Sequence, residues 1–256
     1  MFKGAFTKLS EKKSSSTSGR HIGHYKAAAQ CELITQIHCN MMTIPFHKGF
    51  APERWTKVTD VMLEKTPGVP RIHRLRVIQI IEADLNQCLL LLFTRPMVQN
   101  AEKHNLLHPS QWSTRNQNCT SAVLSKILNL EYSRINKVPT DWIENDAKGC
   151  FDRIIPSLAV LNCRRYGAPK VGCETLANIW NHLEHKINTA YGTSISSYST
   201  LPGDFHAGAG QGSCLAPLIW NTLSTQILSI VEEVPHMVTL HHAENYNLLR
   251  IKAKHM

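Results

Sequence analysis

Asp146 closes a strand-like run from Val138 and stands just ahead of a helical segment. There a carboxylate can face a cleft and bind a hard cation through oxygen. Phe151 follows, and much later comes the loop Gly208-Ala209-Gly210-Gln211-Gly212, which feeds an apolar segment of helical spacing. Glycine lets a backbone approach a ligand closely, and a helix start offers free N–H groups to an anion. Upstream, Lys65 and Arg76 flank a turn-rich stretch with Pro67, Gly68 and Pro70. A guanidinium there can take phosphate oxygens in pairs, and an ammonium adds a point charge. A carboxylate, a glycine cradle and two cations are the parts needed for chemistry on a phosphate. Each also has a plainer reading: a helix cap at Asp146, a turn at the glycines, a solvated basic hairpin around Arg76.

The spacing of apolar residues predicts the elements that position these groups. A helix is expected from Tyr25 to about Met42, with Ala27, Ala28, Cys31, Ile34, Ile37 and His38 on one face and Pro45 and Pro52 bracketing its exit. Val58 to Ile81 reads as two short strands around a loop, leading into a helix that carries Leu85, Cys88 and Leu92 until Pro96 interrupts it. Thr120 caps a further helix to Ile135, with Val123, Leu124, Ile127, Leu128 and Leu130 facing inward. After the strand from Val138 come helices over Ile154–Tyr166 and Val171–Tyr191, strand-turn-strand character over Ser194–Phe205, and a helix from about Cys214 to Val234. Pro235 to Met256 shows no clear period and reads as an irregular tail.

The 256 residues suffice for one large domain or two small ones, and 43% hydrophobic with 18% charged residues excludes disorder for the whole chain. Lys and Arg number 28 against 19 acidic residues, a net charge of +9 that favours a polyanionic partner. Eight cysteines without a Cys-x-x-Cys pair read as free thiols, which with the absence of a signal-like or membrane-spanning run predicts an intracellular protein, nuclear or cytoplasmic. Fourteen scattered histidines give no metal site.

Glu144 to Asp152 followed by Gly208 to Pro217 resemble, in that order, motifs A and B of reverse transcriptases. Gln211-Gly212 with Pro217 fits the Gln-Gly-x-x-x-Ser-Pro pattern, with Ala216 in place of serine. Leu63-Glu64-Lys65 and Arg74-Leu75-Arg76-Val77-Ile78 resemble the basic fingers segments. Gln111 to Arg115 resembles a Gln-x-Gly-x-Arg element, with Ser113 where glycine is expected. Ser18 to Lys26 and the Pro67–Pro70 loop resemble one lineage of cellular retroelement reading frames, and the likeness runs from about Ser14 to about Ile230.

The resemblance implies the RNA-directed DNA polymerase of a retrotransposon. It implies an α+β fold with the fingers and a partial palm of a right-hand polymerase and a helix-rich first half. Asp146 would be the catalytic carboxylate and a ligand in a two-Mg²⁺ site. Lys65 and Arg76 would hold the triphosphate, Phe151 would exclude a 2′-hydroxyl, Gln211 and Gly212 would meet the incoming nucleotide, and Gln111 and Arg115 the template. Asp152 is expected to bond nearby backbone. The implied partners are an RNA or DNA template-primer and a deoxynucleoside triphosphate, with no membrane and an unspecified oligomeric state. The segments expected are a lead-in and helix over 1–57, a fingers-like region over 58–137, a partial palm over 138–234 and the tail over 235–256.

One part departs from the pattern. The second carboxylate place, an aromatic-x-Asp-Asp turn, should lie beyond Gln211, yet no Asp follows Asp204 and no Asp-Asp pair occurs. The chain is therefore expected to be a truncated polymerase, inactive by itself. The alternative is a non-catalytic, basic nucleic-acid-binding remnant of a decayed retroelement.

Overall fold

A computed structural model describes residues 2–12, 16–112, 118–145, 147, 149–200, 208–233, 237–242 and 246–252. In chain order the elements are α1 (Phe2–Thr7), α2 (Ile22–Ala28), α3 (Glu32–Lys48), β1 (Lys57–Glu64), β2 (Leu75–Ile80), α4 (Ala83–Cys88) and α5 (Arg95–Lys103). Next come α6 (Cys119–Ile135), β3 (Thr140–Asn145), α7 (Pro156–Arg165) and α8 (Lys170–Asn181). The order ends with β4 (Glu184–Thr189), β5 (Gly192–Thr193), α9 (Ala216–Glu232), β6 (Met237–His242) and β7 (Tyr246–Lys252). Two compact units result, 1–99 with 151–216 and 100–150 with 217–256, each assembled from separated stretches of sequence.

The first unit is built on a sheet ordered β2-β1-β4-β5, in which β1 and β2 are antiparallel and β1 and β4 parallel. Phe46 packs between Trp55 and Phe93 at ring separations of 5.6 and 5.7 Å, and Phe6 stacks on Tyr25 at 4.7 Å. Each such buried ring contributes roughly 1.5–3 kcal/mol of transfer free energy. The strand pair expected from Val58 to Ile81 is present as β1 and β2, with Asp60 opposite Gln79.

Four expectations in this unit need correction. The helix foreseen from Tyr25 to Met42 is two helices, and Ile34 and Ile37 lie exposed on the second. Pro45 sits buried inside α3 rather than at its exit; the helix stops at Gly49, whose φ of +76° provides the left-handed cap. Pro96 does not end the helix before it: a π-helical turn, Leu89–Thr94, joins α4 to α5, and this wider turn gives room for a ring that would otherwise crowd the carbonyl one turn back. The helix foreseen over Val171–Tyr191 ends at Asn181, because Glu184–Thr189 finds a parallel partner in β1.

The second unit contains a sheet ordered β3-β7-β6, with α6 lying against β6. The tail expected to be irregular supplies the β6–β7 hairpin, and β7 pairs antiparallel with β3 from Thr140 to Asn145. The helix expected from Thr120 is α6, capped by Asn118, whose Oδ1 accepts from the Ser121 amide at 2.8 Å. Its foreseen inward face is reversed: Val123, Leu124, Ile127, Leu128 and Leu130 are all exposed, while Ala122 and Ser133 are buried. A helical stripe read from spacing fixes a face but not what covers it. All eight cysteines are free.

Candidate functional site

The glycine-rich loop is the best-anchored of the sequence-derived features. Gly208 donates to the Ile154 carbonyl at 2.7 Å and Ala209 to that of Phe151 at 2.9 Å, so the loop starts against the segment carrying the aromatic candidate. It then meets the outer edge of β2, where the Gln79 amide donates to the Gln211 carbonyl at 2.8 Å. Gly210 and Gly212 straddle that edge. A Cβ on Gly210 would come within 2.5 Å of Gln79 Oε1, and one on Gly212 within 2.5 Å of the Gln79 carbonyl oxygen and 3.6 Å of Ile78 Cγ2. Both glycines have positive φ, +75° and +126°. Asn86 holds the loop's exit: its Oδ1 accepts from the Cys214 amide at 2.7 Å and its Nδ2 donates to the Gly212 carbonyl at 3.4 Å. That bond occupies one N–H group ahead of α9. The loop thus also covers a strand edge that would otherwise be open.

The basic hairpin belongs to the same unit. Lys65, Arg71, Arg74 and Arg76 are exposed, and none of them forms an ion pair with a described residue. The hairpin is closed by the Lys65 amide donating to the Arg74 carbonyl at 3.0 Å, and by Gly68 donating to Glu64 Oε2 at 2.7 Å. Arg76 lies opposite Leu63 in the β1–β2 register, three residues before the Gln79 that anchors the loop. Phe151 is half-buried in a single 3-10 turn, Phe151–Arg153. Next to it, burial pushes the Asp152 carboxyl above the usual Asp range; Lys65 pulls the other way and Asp60 adds to the rise. The Asp152 backbone carbonyl lies against Gly208.

Lys65, Arg76, Phe151, Gln211 and Gly212 therefore share one unit, and the loop ties Phe151 to the strand of Arg76. Asp146 and Arg115 lie outside the described residues; the residue before Asp146, Asn145, ends β3 opposite Asn247. Gln111 is only 1% exposed, and its Nε2 donates to the Asn221 carbonyl at 2.8 Å and to Ser224 Oγ at 2.7 Å. As folded it braces α9 and has no surface to offer a template. Among the described residues no group of three or more His, Cys, Asp or Glu is placed to hold a metal ion, and no helix is long and apolar enough to cross a membrane.

Two buried polar networks carried no sequence signal. Arg54 bonds Glu82 at 2.9 Å and pairs with Asp84, while Trp55 Nε1 reaches Asp84 at 3.2 Å and Ser18 Oγ reaches Glu82 at 2.9 Å; both carboxylates are fully buried. Asp60 accepts from the Tyr198 hydroxyl at 2.6 Å and lies 3.0 Å from His185 Nδ1, which pins Tyr198 over the sheet. Burial, then the bond to Asp60, pushes the Tyr198 hydroxyl upward from the ordinary tyrosine range. Their members come from separate elements and loops, so no spacing within one segment marks them.

No protein-family model and no curated protein matches the chain. Among solved structures, an apo telomerase from Candida tropicalis, truncated from its C-terminal domain, is similar with a TM-score of 0.48 and 11% identity. The match covers 78% of this chain and 44% of that one. The chain thus spans less than half the length of that telomerase.

Proposed function

We propose that the chain is the fingers and part of the palm of a reverse transcriptase, and that these 256 residues bind a template-primer and a nucleoside triphosphate without transferring the nucleotide. One observation carries the reading: the Gln211 loop is clamped both to the Phe151 segment and to the β2 edge of the hairpin that presents Lys65 and Arg76. Exposed guanidinium and ammonium groups, without an ion pair among the described residues, beside a glycine loop hydrogen-bonded at both ends suit a triphosphate and a phosphate backbone. A retroelement origin is the finer reading that the sequence motifs support.

The donor set does not fit a two-Mg²⁺ site. The motifs provide Asp146, and the residues joining β6 to β7 provide Glu244 but no Asp-Asp pair. One carboxylate from each place is fewer than the set that holds a metal pair in line, and positioning is most of what this chemistry needs. In a primer-extension assay with Mg²⁺ the purified chain is expected to give no product while retaining a labelled template-primer. Arg76→Glu should weaken that binding more than Lys252→Glu. Extension abolished by Asp146→Ala would overturn the non-catalytic reading, and equal binding by the two charge-reversal variants would overturn the hairpin's role.

A further inference from the structure

Two side-chain atoms of the first unit, Tyr25 Oη and His38 Nδ1, are buried with no hydrogen-bond partner among the described residues, and both residues line one cavity of about 770 Å³. Their rings lie 6.1 Å apart. A buried hydroxyl or ring nitrogen left unmatched costs stability, so two of them on one cavity call for a group that meets them. The Tyr25 hydroxyl faces the polar end of this space, because three of the charges that act on it, Asp84, Arg54 and Arg20, also line the cavity. Burial and then Asp84 push that hydroxyl up to about 12, so it stays a phenol that can donate as well as accept. His38 Nδ1 likewise donates or accepts according to its tautomer. Full charges at this end are already balanced: Arg54 and Arg20 stand against Asp84 and Glu82. Much of the remaining lining is apolar, with buried Met42, Pro45 and Trp55, and with Met41 and Phe50 exposed at the rim.

We propose that this cavity binds a neutral, flat small molecule whose edge carries an N–H beside a C=O, as in a ring lactam. The carbonyl accepts from the Tyr25 hydroxyl and the N–H donates to His38 Nδ1, so one group satisfies both unmatched atoms. The apolar lining takes the ring, and the volume falls in the range of small-molecule sites and far exceeds that of a bridging water. An anion would meet Asp84 and a cation would meet Arg54 and Arg20, whereas a neutral edge leaves their balance undisturbed. The inference does not rest on the nucleic-acid reading, since neither the Lys65–Arg76 hairpin nor the Gln211 loop contributes a lining residue.

Ligand-observed NMR titrations of the full chain with quinolin-2-one, quinoline and naphthoate test this. Quinolin-2-one has the paired N–H and C=O, quinoline keeps the rings without that pair, and naphthoate replaces it with an anion. The expected result is saturable binding of quinolin-2-one with a Kd of about 1 mM or tighter, and at least about tenfold weaker binding of the other two. Tyr25→Phe keeps the ring that stacks on Phe6 and deletes the hydroxyl. It should weaken quinolin-2-one about tenfold and leave the unliganded chain no less stable, because an unmatched buried group is removed. Met41→Trp, at the exposed rim, should abolish binding by obstructing the cavity, and it tests the same site should Tyr25→Phe fail to fold. Absence of saturable binding, equal binding of the three probes, or tighter binding of the anion would overturn the proposal. So would quinolin-2-one binding that survives Met41→Trp, or a well-folded Tyr25→Phe with unchanged Kd, since either result puts the molecule elsewhere.

Discussion

Asp152 shows how a single side chain reports its surroundings. Burial raises its pKa, so the folded state holds the proton more tightly than the unfolded chain does, and the charged form is the penalised one. The penalty is fully present above the folded pKa and disappears below the unfolded value. Asp152→Asn is accordingly expected to raise the urea midpoint at pH 7 and to leave it nearly unchanged below about pH 3, where the native carboxyl is neutral in both states. A gain that persists at low pH would point to some cause other than ionisation. Gly212 makes a second residue-scale test. A side chain there meets the Gln79 carbonyl, whereas at Gly210 it meets the movable end of the Gln79 side chain. Gly212→Ala should cost about 3 kcal/mol and Gly210→Ala less, measured by chemical denaturation. Equal costs would mean that the loop is not seated on the β2 edge.

Among the elements, the turn ahead of β1 is tied by charge to the start of α4. Arg54, just ahead of β1, neutralises Glu82 and Asp84 at the start of α4, and Ser18 adds a hydroxyl donor from the segment before α2. Removing the cation leaves two buried carboxylates with no counter-charge. Arg54→Met is expected to destabilise the fold by about 3–5 kcal/mol, larger than a typical core truncation of the same size. Near-normal stability by denaturant titration would show that water reaches the pair. The loop between β5 and α9 shows a related economy of means, since one segment both presents Gln211 and seals the β2 edge.

For the whole molecule, charge is the property that sets behaviour at a distance. A net +9, with Lys65, Arg71, Arg74 and Arg76 exposed on one hairpin, predicts nucleic-acid binding without sequence preference. The logarithm of the affinity should fall linearly with the logarithm of salt, and the slope should lessen by about one unit for each hairpin cation removed that contacts a phosphate. A titration that is flat in salt, read by fluorescence anisotropy with a labelled oligonucleotide, would remove this reading. The division into two units, each stitched from distant stretches, also means that neither is expressible as one continuous segment.

What the sequence determined by itself was local: the β1–β2 hairpin, the α6 and α7 spans, the strand before Asp146, the free thiols and the glycine loop ahead of α9 all follow from turn residues, period and composition. The loop was legible because Gly210 and Gly212 have no other reason to be glycine than backbone geometry and close approach. Tertiary structure decided what local pattern cannot carry. It decided that Glu184–Thr189 is a strand because β1 offers a parallel edge, that 237–252 forms a hairpin because β3 offers another, and that Pro96 stays helical behind a π turn. It also decided which side of α3 and α6 is covered, and that Gln111 serves the interior of its unit. The physical reason is common to all of these. Period and propensity depend on neighbours a few residues apart, whereas pairing, burial and ion-pair closure depend on residues brought together from elsewhere in the chain, 28 positions apart for Arg54 with Glu82 and 138 for Asp60 with Tyr198.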